Sequence, residues 1–236
     1  GVIPVVQSKW FATVVVESPD STVAEQLQQL AIVDSVKWIW KGNLRVPAEE
    51  KGEDRFVPED EPLCNEYGYA HKQIKMLNGT KLHEAGFQGE GMRVAVIDAG
   101  FMNADRISAF DSLRLLGTHN VVFPGKSVFV GDDHGTKVLS CLAADIPGVM
   151  VGTAPKASYL LLKSEDSDSE YPIEEDYWTA AVEYADSAGV DVISSSLGYF
   201  AFDADELSYE QAALDGKTAM ISQAAHLAAD TGILVF

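Results

Sequence analysis

Cysteine is nearly absent from the 236 residues. Only Cys64 and Cys141 occur, too few for a disulfide framework or a zinc site. Long apolar runs are missing too: the longest reach about seven residues, against the ~20 that cross a bilayer, so no membrane span is expected. Positive charge is scarce. Lys and Arg number 17 against 36 Asp and Glu, a formal charge of −19, opposite to the basic surface that general nucleic-acid or anionic-membrane binding requires. Glycine (19) and proline (9) follow no period, which excludes collagen-like and low-complexity chains. What remains is 47% hydrophobic, enough to bury the core of one medium α/β domain and a smaller module.

The acids are unevenly placed. Glu49, Glu50, Glu53, Asp54, Glu59, Asp60 and Glu61 crowd a stretch that also holds Pro47, Gly52, Pro58 and Pro62. Such a segment cannot bury enough apolar surface to offset its ordering entropy, and it reads as a linker over 46–66. It separates a small module, 1–45, from a large one, 67–236. In the small module, Val2 to Gln7 and Phe11 to Val16 read as strands. Thr22 and Glu25 have capping-box spacing ahead of a helix carrying Val23, Leu27 and Leu30. Val36, Trp38 and Trp40 alternate with Lys37, Ile39 and Lys41 as in a third strand. Forty-five residues in that order make too small a core to stand alone, so the module is expected to lean on another surface.

The large module alternates strands and helices, the pattern of a parallel sheet covered on both faces. Strands are expected at Arg93–Ile97, Val121–Phe123, Tyr159–Leu162, Val190–Ser194 and Ile233–Phe236, and helices at about 134–144, 174–188 and 218–230. In open α/β sheets, chemistry gathers at the carboxyl ends of strands. Polar clusters at or near such ends are Asp98, the run Asp132-Asp133-His134-Gly135-Thr136, and Ser194-Ser195-Ser196-Leu197-Gly198-Tyr199. Taken singly, each has an ordinary reading: a turn-forming aspartate, a surface histidine at a helix start, a strand leaving its sheet.

Together they resemble the subtilisin-like serine proteases, the subtilase family. Val94-Ala-Val-Ile-Asp98-Ala-Gly100 resembles the family's catalytic-aspartate strand, and His134-Gly-Thr136 its catalytic-histidine helix. Gly152-Thr-Ala-Pro155 with Ala157 to Lys163 is similar to the segment that follows. Ser196-Leu-Gly198 resembles the substrate-aligning strand, and Ile221 to Asp230 with Gly232 to Phe236 the next helix and strand. Their order and spacing cover nearly all of 67–236. Glu165-Asp166, Glu174-Glu175-Asp-Tyr-Trp178 and Ser194 to Tyr199 look closest to subtilases of Bacteroidetes-type bacteria. The small module is similar in pattern and position to the later part of the ferredoxin-like propeptide that chaperones and inhibits such enzymes, the alternative being an unrelated small accessory domain. The fold class this implies is a parallel, doubly wound subtilisin-like sheet, cut off after about half the domain and preceded by a partial propeptide.

The resemblance also implies a mechanism. Asp98 would accept a hydrogen bond from Nδ1 of His134, and His134 would take the proton of a serine through Nε2. Ser196, Leu197 and Gly198 would pair with substrate backbone, Gly198 leaving room for a side chain and Tyr199 helping to wall it. The chain ends at Phe236, ahead of the family's oxyanion asparagine, and no Gly-Thr-Ser-like nucleophile segment occurs in it. These residues alone are therefore expected to be inert, with an exposed sheet edge that favours association or a partner fragment. Lys137 stands where many relatives carry a second histidine, and it reads as a solvated helix position. Export to the extracellular space or cell envelope is implied by the resemblance alone.

A second acidic cluster comprises Glu165, Asp166, Asp168, Glu170, Glu174, Glu175 and Asp176. It can be read as a calcium site, as a preference for basic substrates, or as a solvated loop and helix N-terminus, where acids suit the macrodipole. The solvated reading is preferred. No cofactor is required, and no metal ligand is assigned. Asn78-Gly-Thr80, formally a glycosylation sequon, reads as a turn. Two other functions remain open at this point. One is a non-catalytic, protease-like binding or scaffold domain. The other is a flavodoxin-like small-molecule binder, in which Asp98 and His134 would lie apart.

Overall fold

The computed structural model describes residues 1–40 and 65–236. Cys64 and nearly all of the expected linker lie outside the described residues. The chain opens with an antiparallel hairpin, β1 (Ile3–Ser8) and β2 (Thr13–Glu17), followed by a short helix α1 (Val23–Gln28). The expected capping box does not form. Asp20 Oδ1 accepts both the Thr22 N–H (2.9 Å) and the Thr22 hydroxyl (2.8 Å), so that hydroxyl is taken before it can cap the helix. The third strand expected over 36–40 is also absent. Trp38 is 55% exposed while Ile39 and Trp40 both pack on the main core. An extended segment laid across a neighbouring surface can bury such side chains without any ladder.

That neighbouring surface is the large module. Its elements are α2 (His71–Met76), α3 (Gly79–Glu84), β3 (Arg93–Asp98), β4 (Arg114–Asn120), α4 (His134–Ala143), β5 (Asp145–Ile146), β6 (Met150–Val151), β7 (Ser158–Lys163), α5 (Ile173–Ser187), β8 (Val192–Ser195), α6 (Met220–Asp230) and β9 (Leu234–Val235). The central sheet runs β4-β7-β3-β8-β9, and every pairing in it is parallel. Its middle strands are apolar on both faces. Ala95, Ile97, Leu160 and Leu162 point to the side covered by α5 and α6, and Val94, Val96, Tyr159 and Leu161 to the side covered by α4. This two-sided burial explains why Val94 to Ile97 and Tyr159 to Leu162 read as continuous apolar runs.

The edge strand was misplaced in sequence. Val121–Phe123 is not a strand; β4 is the preceding Arg114–Asn120. An edge strand is half exposed and so carries Arg114, Thr118 and His119. The apolar triplet is buried because the chain turns in beneath the sheet's end, where Asn120 Oδ1 accepts the Phe123 N–H at 2.8 Å. Helices α2 and α3 and the β5–β6 hairpin had no clear sequence signal, each spanning six residues or fewer. Asn78, in the sequon-like triplet, sits at φ 57° ahead of α3 and makes the expected turn.

The small module rests on α5. Val5, Val6, Trp10, Phe11 and Val15 pack against the α5–α6 core. The Glu183 carboxylate on α5 accepts the Ser8 hydroxyl and the N–H groups of Lys9 (3.0 Å) and Trp10 (3.2 Å). It thereby satisfies the turn donors that the hairpin ladder leaves unpaired. Replacing Glu183 with alanine should cost about 1–3 kcal/mol of docking energy. Limited proteolysis should then clip residues 1–40 faster, while the sheet core keeps its protection.

Candidate functional site

Asp98 is the last residue of β3 and is fully buried. Its Oδ1 accepts the Ala99 N–H at 2.8 Å and faces His134 Nδ1 at 2.7 Å. His134 is the first residue of α4, and its N–H donates to Asp132 Oδ1 at 2.7 Å. The contact is made possible by Gly135. A Cβ there would lie 2.5 Å from the Gly100 carbonyl oxygen and 2.8 Å from Asp98 Cβ, so only glycine lets the helix start press against the end of β3. On the far side the imidazole is open, with 49% of the side chain exposed. One ring nitrogen is thus held by a rigid carboxylate while the ring reaches solvent, an arrangement suited to accepting a proton from a bound group.

The electrostatics follow from this geometry. The hydrogen bond to Asp98 holds the His134 imidazole above its ordinary value, against a smaller effect of burial. Burial pushes the Asp98 carboxyl up, while the hydrogen bonds from His134 and Ala99 pull it back. Lys163, which sequence reasoning did not single out, ends β7 in register with Asp98. Its buried ammonium donates to the Ala99 carbonyl, and burial lowers its pKa against the pull of Asp132, Asp166, Glu165 and Asp98. A lone lysine at the end of an apolar strand was its only signal in the sequence.

Ser196, Leu197 and Gly198 continue from β8, the strand beside β3. None of the three makes a backbone hydrogen bond with the described residues. A Cβ on Gly198 would meet nothing within 4 Å. Tyr199 is different: it is 4% exposed and belongs to the α5–α6 core, so its ring is no open wall. Trp178 Nε1 donates to Ser195 Oγ at 2.8 Å and anchors the strand from below. Lys137 pairs with Asp133 at 2.7 Å on an exposed helix face.

The solvated reading of the second acidic cluster fails in part. Asp166 (8% exposed), Glu174 (1%) and Glu175 (3%) are buried. The amphipathic face of α5 turns its first-turn acids inward, because Ile173 and Tyr177 must reach the same core. Glu175 is satisfied there by the Tyr209 hydroxyl (2.7 Å) and the Ile221 N–H (3.4 Å).

A buried strand-end aspartate bonded to a helix-start histidine, on a parallel sheet covered on both faces, is the arrangement that the resemblance to subtilisin-like proteases leads one to expect. The sequence comparisons agree. The chain is 32% identical over 150 residues to subtilisin E of Bacillus subtilis, a match covering 61% of this chain and 36% of that protein. It is 28% identical over 126 residues to the thermostable alkaline protease of Halalkalibacterium halodurans, covering 53% of this chain and 33% of that one. The crystal structure of MycP1 with the N-terminal propeptide removed shares the fold. The TM-score is 0.50 and the identity 19%, covering 75% of this chain and 48% of that one. No protein-family model matches the chain. The chain is subtilisin-like in sequence and fold, and its matched part spans about a third of the length of these curated relatives.

The pair's coupling can be read directly. In an NMR titration, His134 should titrate above the ordinary imidazole value, and Asp98→Asn should bring it back to or below that value. Because the folded pKa is raised, the stabilisation is complete below the unfolded histidine value and is lost as pH rises through the folded one. That pH slope should vanish in Asp98→Asn.

Proposed function

We propose that these residues form the aspartate- and histidine-bearing part of an exported serine endopeptidase of the subtilisin type. The observation that carries this reading is the 2.7 Å contact between Asp98 Oδ1 and His134 Nδ1, which also removes the flavodoxin-like alternative. Asp98 holds the imidazole in the tautomer that leaves Nε2 free, and it stabilises the imidazolium that forms. His134 takes the proton of the attacking serine and returns it to the leaving amine. No Gly-Thr-Ser-like nucleophile segment occurs among residues 1–236, so by themselves these residues are inactive. Ser196, Leu197 and Gly198, free of backbone partners among the described residues, align the peptide substrate as an added strand. Residues 1–45 act as the later part of a propeptide, and the packing of Val5, Val6, Trp10, Phe11 and Val15 against the α5–α6 core supports this. No cofactor enters the chemistry.

The test is the full-length protein treated with a serine-directed fluorophosphonate. Labelling and peptidase activity are expected, and His134→Ala should lower kcat/KM by at least ~10³-fold. A complete protein that neither labels nor cleaves peptides would be a protease-like scaffold instead. Since His134 must be neutral to act as a base, kcat/KM should fall as pH drops through a value above that of free imidazole. Gly198→Val should leave the fold intact and depress turnover of substrates with large side chains at that position, measured against substrates with small ones.

A further inference from the structure

The loop between β7 and α5 folds back on the start of α5 and brings Glu165, Glu170 and Glu174 together. One carboxylate oxygen from each lies within 4.8 Å of those of the other two. A pocket of ≈ 220 Å³ opens beside Glu165 and Glu170, lined also by Asp166, Asp168 and Asp203. Among the described residues none of the three glutamates forms an ion pair. One buried polar atom here is left unsatisfied. Glu174 is 1% exposed; its Oε1 accepts the Asp166 N–H at 3.1 Å, but Oε2 has no partner. A buried carboxylate oxygen without a donor costs several kcal/mol unless it is protonated or meets a cation.

We propose that Glu165, Glu170 and Glu174 form a binding site for a divalent cation, Ca²⁺ by its ligand chemistry. Every donor is a hard oxygen, which disfavours zinc and other soft metals. Ca²⁺ binds oxygen at ~2.4 Å, so two of its ligands stand up to ~4.8 Å apart, whereas Mg²⁺ at ~2.1 Å draws them to ~4.2 Å or closer. The three carboxylate oxygens, all within 4.8 Å of one another, fit inside the span of one Ca²⁺ shell, whose irregular geometry tolerates such a set, and water entering through the pocket completes it. Burial and mutual repulsion push Glu165 up to about 7 and Glu174 up to about 9. Burial, with the charges of Glu165, Glu174 and Glu170 nearby, also raises the Tyr199 phenol. An ion here ties the β7–α5 loop to the first turn of α5 without entering the proton transfer.

The experiment is calorimetric titration of CaCl₂ into the chelator-treated full-length protein, with thermal unfolding in parallel. Saturable binding of one ion with Kd at or below ~1 mM is expected. Glu174→Gln and Glu170→Gln should each weaken it at least ~tenfold, whereas Glu206→Gln, an exposed acid three residues beyond Asp203 and outside the three ligands, should not. Glu170 is the second probe because it is only partly buried and its variant folds even if Glu174→Gln does not. No saturable binding up to ~10 mM Ca²⁺ would overturn the proposal. So would equal weakening by Glu206→Gln, which would mark general screening of an acidic surface. Displacement of bound Ca²⁺ by an arginine-containing peptide but not by Mg²⁺ would equally overturn it, marking the pocket as a subsite for basic side chains.

Discussion

A single close approach organises the molecule: the start of α4 pressed against the end of β3. Asp98 is buried because β3 is the central strand of the sheet, and it is held by the Ala99 N–H and the His134 ring. The approach is steric before it is electrostatic. Without the missing side chain at Gly135 the backbone of α4 would collide with Gly100 and Asp98, and the imidazole would be displaced from the carboxylate. Once that distance is set, low solvent access strengthens the hydrogen bond and separates the two groups' roles, one as a fixed acceptor and one as a half-open ring.

The carboxyl edge of the sheet gathers more charge than the pair alone. Lys163 sits in register with Asp98 and steadies the Ala99 carbonyl, while Glu165, Asp166, Glu174 and Glu175 follow within the same corner. Parallel strands deliver these residues together because each leaves the sheet at the same end. The apolar strand bodies are covered on both faces, so polar chemistry is confined to that rim. Where the rim's acids find donors, as Glu175 does with Tyr209 and Ile221, they bind α5 to α6. Where they do not, as at Glu174 Oε2, the fold retains an uncompensated acceptor.

The small module shows how a marginal unit is stabilised by what it touches. A two-stranded hairpin and a six-residue helix bury little by themselves. Their apolar side chains find cover on α5, and Glu183 closes the turn. The segment after α1 follows the same logic: Ile39 and Trp40 gain burial against the large module, and no ladder is needed to place them.

Residue order alone determined a good deal. The apolar runs at β3 and β7 and the alternation of strands with helices reported a parallel, two-faced sheet, because burial on both sides erases polar alternation. The Asp98 and His134 motifs were equally legible, since each is a short string with a rigid neighbour. Tertiary structure decided the rest. The edge strand at Arg114–Asn120 was hidden because half-exposed residues mix polar and apolar types, and the tightly apolar Val121–Phe123 misled because a buried turn looks the same as a buried strand. The inward orientation of Glu174, the core position of Tyr199 and the partnership of Lys163 with Ala99 could not be read from spacing. Each depends on which face of an element meets which neighbour, and local periodicity carries no information about a surface contributed by distant residues.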